Sequence, residues 1–144
     1  MARVLGIDVG TRRVGLAVSD ASRTLARPLA TLRVSSVQDA AEQVMREVAR
    51  LASEDEGVSQ IVVGIPKRLD GTANEQTRQA EAFVAALGAS TTLPIAREDE
   101  RLTSREAESR LAERERDWRV RKQKLDAAAA AIILQDYLDR ERTP

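Results

Sequence analysis

Apolar residues in this chain fall into short continuous runs and helically spaced sets, and their order predicts a mixed sheet. Val4-Leu5-Gly6-Ile7 reads as a buried strand and Val14-Gly15-Leu16-Ala17-Val18 as a second. With the tight turn at Gly10-Thr11 between them, residues 3–8 and 14–19 form a hairpin. A third strand is expected around Ala30-Thr31-Leu32-Arg33, after Pro28 and before Ser35-Ser36. Val37, Ala41, Val44, Val48 and Leu51 keep helical spacing, which predicts a helix from about Val37 to Ala52 with Ser36 as N-cap. Gln60-Ile61-Val62-Val63-Gly64-Ile65 ends at Pro66 and reads as a strand buried on both faces, as in parallel packing. A second helix is expected from about Asn74 to Leu87, with Ala80, Phe83, Val84 and Leu87 inward and Gly88 as its stop.

Leu93-Pro94-Ile95-Ala96-Arg97 begins the last strand, which runs into Glu98-Asp99-Glu100-Arg101. The capping-box pattern Thr103-Ser104-Arg105-Glu106 starts a third helix. Residues 114–124 are densely charged and read as a mobile flap. The final helix covers about Leu125 to Asp139, and its Ala127–Ala131 run is small enough to lie close against a sheet. An antiparallel start followed by βαβ units gives a mixed five-stranded α/β sheet with helices on both faces. At 144 residues, one domain spanning 1–144 is the natural count.

Composition narrows the chemistry. Cys and His are both absent. Disulfides, thiolate sites and histidine catalysis are therefore excluded, and any metal must be held by oxygen, which favours Mg²⁺ or Mn²⁺. The N-terminus lacks an apolar signal region and no stretch is long enough to span a bilayer, so a soluble cytoplasmic protein is expected. The net charge is zero but unevenly placed. Residues 1–33 carry six Arg against Asp8 and Asp20, and residues 114–124 carry six basic residues against Glu115 and Asp117. Local basic patches of this kind suit a polyanionic ligand despite global neutrality.

Acids stand where folding does not require them. Asp8 ends the first strand, Asp99 and Glu100 end the last, and Asp126 interrupts the apolar pattern at the start of the final helix. Each has a plain structural alternative: a turn aspartate for Asp8, ion pairing with Arg97 or Arg101 for Asp99 and Glu100, a helix-dipole contact for Asp126. Together they form a carboxylate cluster if the strand ends converge, and clustered carboxylates repel unless a divalent cation neutralises them. Two metal ions on such a cluster serve phosphodiester hydrolysis without His or Cys. The pattern Asp-x-Gly-Thr-x-x-x-Gly, Asp8 to Gly15, also resembles the first phosphate loop of the actin and sugar-kinase superfamily. Those ATPases close two such domains on a nucleotide, and this length supplies one.

Four ordered blocks identify a closer likeness. Gly6-Ile-Asp-Val-Gly-Thr-Arg-Arg-Val-Gly-Leu-Ala-Val-Ser-Asp20, Val63-Gly-Ile-Pro66 with Asp70-Gly71, Asp99-Glu-Arg-Leu-Thr-Ser104 and Lys124-Leu-Asp-Ala-Ala-Ala-Ala-Ala-Ile-Ile-Leu-Gln135 span the chain. In these blocks the chain resembles the YqgF family, also called RuvX: pre-16S ribosomal RNA nucleases or Holliday-junction-resolvase-like proteins, similar to RuvC resolvases. The resemblance implies a ribonuclease H-like fold and a Mg²⁺- or Mn²⁺-dependent nuclease. It implies Asp8, Glu100 and Asp126 as catalytic metal ligands, with Asp99 as substitute for Glu100. RuvC-like enzymes place a glutamate at the end of the fourth strand, where this chain has Gly64-Ile65-Pro66. The middle acid is therefore expected from the neighbouring strand, and Glu100 is preferred for its longer reach.

Nucleic-acid contacts are expected from Thr11, Arg12 and Arg13 in the hairpin turn, from Lys67 and Arg68, and from Arg101 and Thr103. In the charged segment they are expected from Arg114, Arg116, Trp118, Arg119, Arg121, Lys122 and Lys124, with Trp118 stacking on a base or covering an apolar edge. The expected partners are precursor 16S rRNA or branched DNA, a ribosomal particle, and a monomeric or homodimeric state. The competing class is a non-catalytic ribosome-assembly or nucleic-acid-binding factor that retains the fold.

Overall fold

The computed structural model describes residues 2–100 and 118–142, with backbone alone for residues 118–125. Five strands form one sheet: β1 (Arg3–Val9), β2 (Arg13–Ser19), β3 (Ala26–Arg33), β4 (Val58–Ile65) and β5 (Ile95–Asp99). Their spatial order is β3-β2-β1-β4-β5. β1–β2 and β2–β3 pair antiparallel, whereas β1–β4 and β4–β5 pair parallel. The parallel pairs are joined through helices α1 (Val37–Ala52) and α2 (Glu75–Gly88), and α3 (Trp118–Arg142) closes the described chain.

Strand alternation explains the three layers. Leu5, Ile7, Val14, Leu16, Ile61 and Val63 face α1 and α2, where they join Val44, Leu51, Phe83 and Leu87 in the larger core. Val4, Ala17 and Val62 face the other way and pack on Ala130, Ile133, Leu134 and Leu138 of α3. The central strands are thus buried on both faces, as their unbroken apolar runs require. Three glycines on this second face let α3 settle close. A methyl at Gly6 would lie 2.7 Å from Leu134 Cβ, one at Gly64 2.6 Å from Ile133 Cδ1, and one at Gly15 would overlap the Asp126 carbonyl.

The helix starts follow local chemistry. Ser36 accepts from the Asp39 amide at the head of α1. Asn74 and Thr77 form a reciprocal capping box at the head of α2.

Three expected boundaries move. β3 begins at Ala26, so Pro28 lies within it rather than before it. Proline is tolerated there because β3 is an edge strand and its register against β2 shifts between Leu16 and Ala17. Gly88 is the last residue of α2, not a left-handed stop beyond it, and Ala89 caps the helix in a right-handed conformation. α3 starts at Trp118, so residues 118–124 are helix rather than flap. Arg, Lys and Gln are good helix formers, and they extend the helix without an apolar stripe to announce it. The helix expected from Thr103 lies outside the described residues. Among the described residues, no helix is long and apolar enough to cross a membrane.

Candidate active site

Register places the first acid. Asp8 pairs with Gly15 across β1–β2, and the Asp126 backbone packs directly over Gly15. Asp126 therefore lies over the end of β1, on the face to which Asp8 points. The longer α3 puts Asp126 well inside the helix, not in its first turn, so the helix-dipole alternative for this acid falls away.

Glu100 arrives from two strands away. It follows β5, and its N–H donates to the Ile65 carbonyl at 3.3 Å, which continues the β4–β5 pairing. β4 lies between β5 and β1, so the Glu100 side chain must cross β4 to reach Asp8. Gly64 makes that crossing possible: a methyl there would stand 2.5 Å from Glu100 Oε2. The carboxyl group from β5 thus occupies the space that a side chain at the end of β4 would fill. Asp99 pairs with Ile65, on the opposite face by strand alternation, and is exposed. Of the two candidate middle acids, Glu100 is the one brought beside Asp8.

The Asp8 and Glu100 carboxyl groups stand within hydrogen-bonding reach of each other. Burial pushes the Asp8 carboxyl up to about 6; the Glu100 hydrogen bond opposes that rise and the Asp126 charge adds to it. Burial, then the Asp8 charge, the shared hydrogen bond and the Asp99 charge push Glu100 up to about 10. At neutral pH the pair therefore retains a proton where two separate carboxylates would hold none. Glu100 Oε2 is buried without a hydrogen-bond partner.

Asp126 is engaged differently. Arg13 Nε lies 2.9 Å from its Oδ2, with both side chains about a quarter exposed. As they stand, no three acidic side chains among the described residues form a group able to hold a metal ion. Asp8 and Glu100 are brought together, and Asp126 is held by Arg13. An all-oxygen set with a buried, unsatisfied Glu100 oxygen and a retained proton fits a hard divalent cation, which would replace that proton.

The basic residues are scattered around this centre. Thr11 and Arg12 are exposed in the β1–β2 turn, with the Thr11 hydroxyl 3.4 Å from Gln79 Oε1 of α2. Lys67 and Arg68 are exposed in the loop after β4, where Asp70 accepts from the Thr72 amide. Trp118, Arg119, Arg121, Lys122 and Lys124 fall on the opening turns of α3. Arg101, Thr103, Arg114 and Arg116 lie outside the described residues.

Sequence reasoning missed Arg33, which stands opposite Arg13 in the β2–β3 register. It also missed Glu98, buried on β5 and ion-paired with Arg140 of α3. Nothing local marks Glu98, whose partner is 42 residues away. The glycine interrupting the apolar β4 run was the available signal for the Glu100 crossing.

The sheet order, with acids on β1, beyond β5 and on the closing helix, is that of a ribonuclease H-like domain. Solved structures agree on the fold. Thermus thermophilus RuvC in complex with a Holliday junction substrate superposes with a TM-score of 0.56 at 17% identity, covering 99% of this chain and 97% of that one. Fowlpox virus resolvase with its substrate Holliday junction DNA gives 0.55 at 11% identity, covering 98% and 99%.

The chain belongs to the RuvX family, whose profile, described as "Holliday junction resolvase", matches residues 2–140. Relatives named "Putative pre-16S rRNA nuclease" include one from Salinibacter ruber, 44% identical over 96% of this chain and 94% of its own length. Another, from Chloroflexus aggregans, is 41% identical over 98% and 96%.

Proposed function

We propose that this chain is a Mg²⁺- or Mn²⁺-dependent nuclease that hydrolyses phosphodiester bonds in structured nucleic acid. The observation that carries the reading is the half-buried Asp8–Glu100 pair, with Glu100 carried across Gly64, its Oε2 buried without a hydrogen-bond partner, and Asp126 seated over Gly15 on the same face. Folding alone does not favour such a pair, because burying like-charged groups together is costly. Asp8, Glu100 and Asp126 would hold the metal. When bound, the metal would activate water and stabilise the leaving oxygen.

The protein's own residues position and screen. Gly64 lets Glu100 reach the site, Gly15 seats Asp126, and Arg13 keeps Asp126 oriented and neutralised before a cation arrives. The exposed hydroxyl of Thr11 and the cations of Arg12, Lys67 and Arg68 would meet substrate phosphates. Arg101, Thr103, Arg114 and Arg116, with Trp118, Arg119, Arg121, Lys122 and Lys124, are proposed to extend that contact. The substrate read first is the 5′ end of precursor 16S rRNA on a pre-ribosomal particle in the cytoplasm, supported by the names of near-full-length relatives. The second reading is a branched DNA junction, supported by the description of the family profile. A junction resolvase acts as a symmetric dimer, whereas RNA trimming needs one copy.

A single assay tests both. Wild type and Asp8→Asn are offered a precursor 16S fragment and a four-way DNA junction with Mn²⁺, and product ends are mapped. Cutting of either substrate by wild type alone is expected and chooses between them. Binding without cutting by wild type would replace the nuclease with an assembly factor.

A further inference from the structure

An open cleft of about 520 Å³ is lined by Thr11, Arg12, Arg13, Arg33, Val34 and Ser35, and Arg13 connects it to Asp126. Among these described lining residues three are arginines and none is acidic. Arg13 and Arg33 are direct cross-strand partners in an antiparallel pair, so their side chains leave the same face. Like charges in that arrangement destabilise a sheet. Asp126 compensates Arg13. Among the described residues, no ion pair compensates Arg12 or Arg33. A cost carried in the fold without local compensation marks a functional position.

The cleft is also preformed. The Val34 amide donates to the Arg12 carbonyl at 2.9 Å, which ties the β1–β2 turn to the end of β3. Gln43 Nε2 donates to the Arg33 carbonyl at 2.8 Å, and the Ser35 amide donates to Asp39 Oδ2 at 2.9 Å. That carboxylate also accepts from Gln43, so it is occupied by the cleft's own scaffold.

We infer that this cleft seats a backbone phosphate of the nucleic acid, flanking the phosphate that is cut, with Arg12 and Arg33 as its ligands. Among the described lining residues there is no aromatic ring on which a base could stack, and the guanidinium fork recognises phosphate rather than sequence. Arg13 links the two sites, because it forms a wall of the cleft and holds Asp126. A strand seated on Arg12 and Arg33 therefore runs on past the carboxylates. The inference deepens the nuclease reading and rests on it for the identity of the polyanion.

The test is binding against salt. Labelled precursor RNA and labelled junction DNA are titrated with wild type, Arg33→Gln, Arg12→Gln and the remote control Arg50→Gln, all with Ca²⁺ replacing Mn²⁺. Each cleft variant is expected to weaken binding of the preferred substrate about tenfold and to lower the slope of log K against log salt by about 1. Arg50→Gln, at the far end of α1, is expected to match wild type. An unchanged slope in both cleft variants overturns the inference. So does a loss of inorganic phosphate binding without a loss of nucleic-acid affinity, which would make the cleft a small-anion site. Because binding is read without cutting, a wild type that binds but never cuts would refute the nuclease and leave the phosphate seat standing.

Discussion

Arg13 Nε lies 2.9 Å from Asp126 Oδ2, so a cation beside the carboxylates is engaged by one of them. A divalent ion and Arg13 compete for the same oxygen. Arg13→Gln should therefore bind Mn²⁺ more tightly in the absence of nucleic acid. Roughly three- to tenfold is expected, as for release of an ion pair of about 1 kcal/mol. A Mn²⁺ titration followed by thermal shift measures it. Equal or weaker affinity would mean that Arg13 supports the metal site instead of competing with it.

The Asp8 carboxyl sets a pH dependence of stability. Its affinity for protons is raised from 3.8 unfolded to about 6 folded. Between these values the folded state holds more protons than the unfolded one, so stability is fully present below about pH 4 and declines as pH rises through 6. Glu100, raised from 4.5 to about 10, extends the decline upward. At pH 8 without metal, Asp8→Asn should be more stable than wild type by roughly 2–3 kcal/mol, and near pH 4 the difference should vanish. Calorimetry in EDTA at both pH values checks this, and a pH-independent difference would contradict it.

Added Mn²⁺ should supply what the proton supplied. Wild-type Tm at pH 8 is expected to rise by several degrees at a cation concentration about 100 times the Kd. Glu100→Gln should lose most of that rise while remaining folded, because its side chain keeps its shape. An undiminished rise in Glu100→Gln would place the ion elsewhere.

Two glycine substitutions should separate stability from activity. In Gly15→Ala the new methyl meets the Asp126 backbone, so α3 must move and about 3 kcal/mol or more is lost. In Gly64→Ala the methyl meets only side-chain ends, Glu100 Oε2 at 2.5 Å and Ile133 Cδ1 at 2.6 Å. Those ends can turn aside, so stability falls less while Glu100 is pushed out of reach of Asp8. Cleavage should drop sharply in both variants, and urea titration should show the larger stability loss in Gly15→Ala. The reverse order would contradict the geometry.

Local patterns were enough to read most of the elements. Continuous apolar runs marked β1, β2 and β4 because both faces of those strands are buried, and periodic spacing with Ser36 before it marked α1 to the residue. Pro28 misplaced the start of β3, since an edge position that excuses proline is a property of the sheet and not of the strand. The charged opening of α3 was misread because its helix carries no apolar periodicity there.

Asp8, Asp99 with Glu100, and Asp126 could be singled out from the sequence because acids at strand ends and within an alanine-rich helix break the surrounding apolar pattern. Tertiary structure decided the rest. It set Glu100 rather than Asp99 beside Asp8 through the face of β5, and let Glu100 cross β4 over Gly64. It paired Asp126 with Arg13 and set Arg33 opposite Arg13. These relationships join positions 36 to 113 residues apart in the chain, except for the 20 residues between Arg13 and Arg33. Sequence period reports which face a residue occupies, whereas strand order and register decide which charges meet on that face.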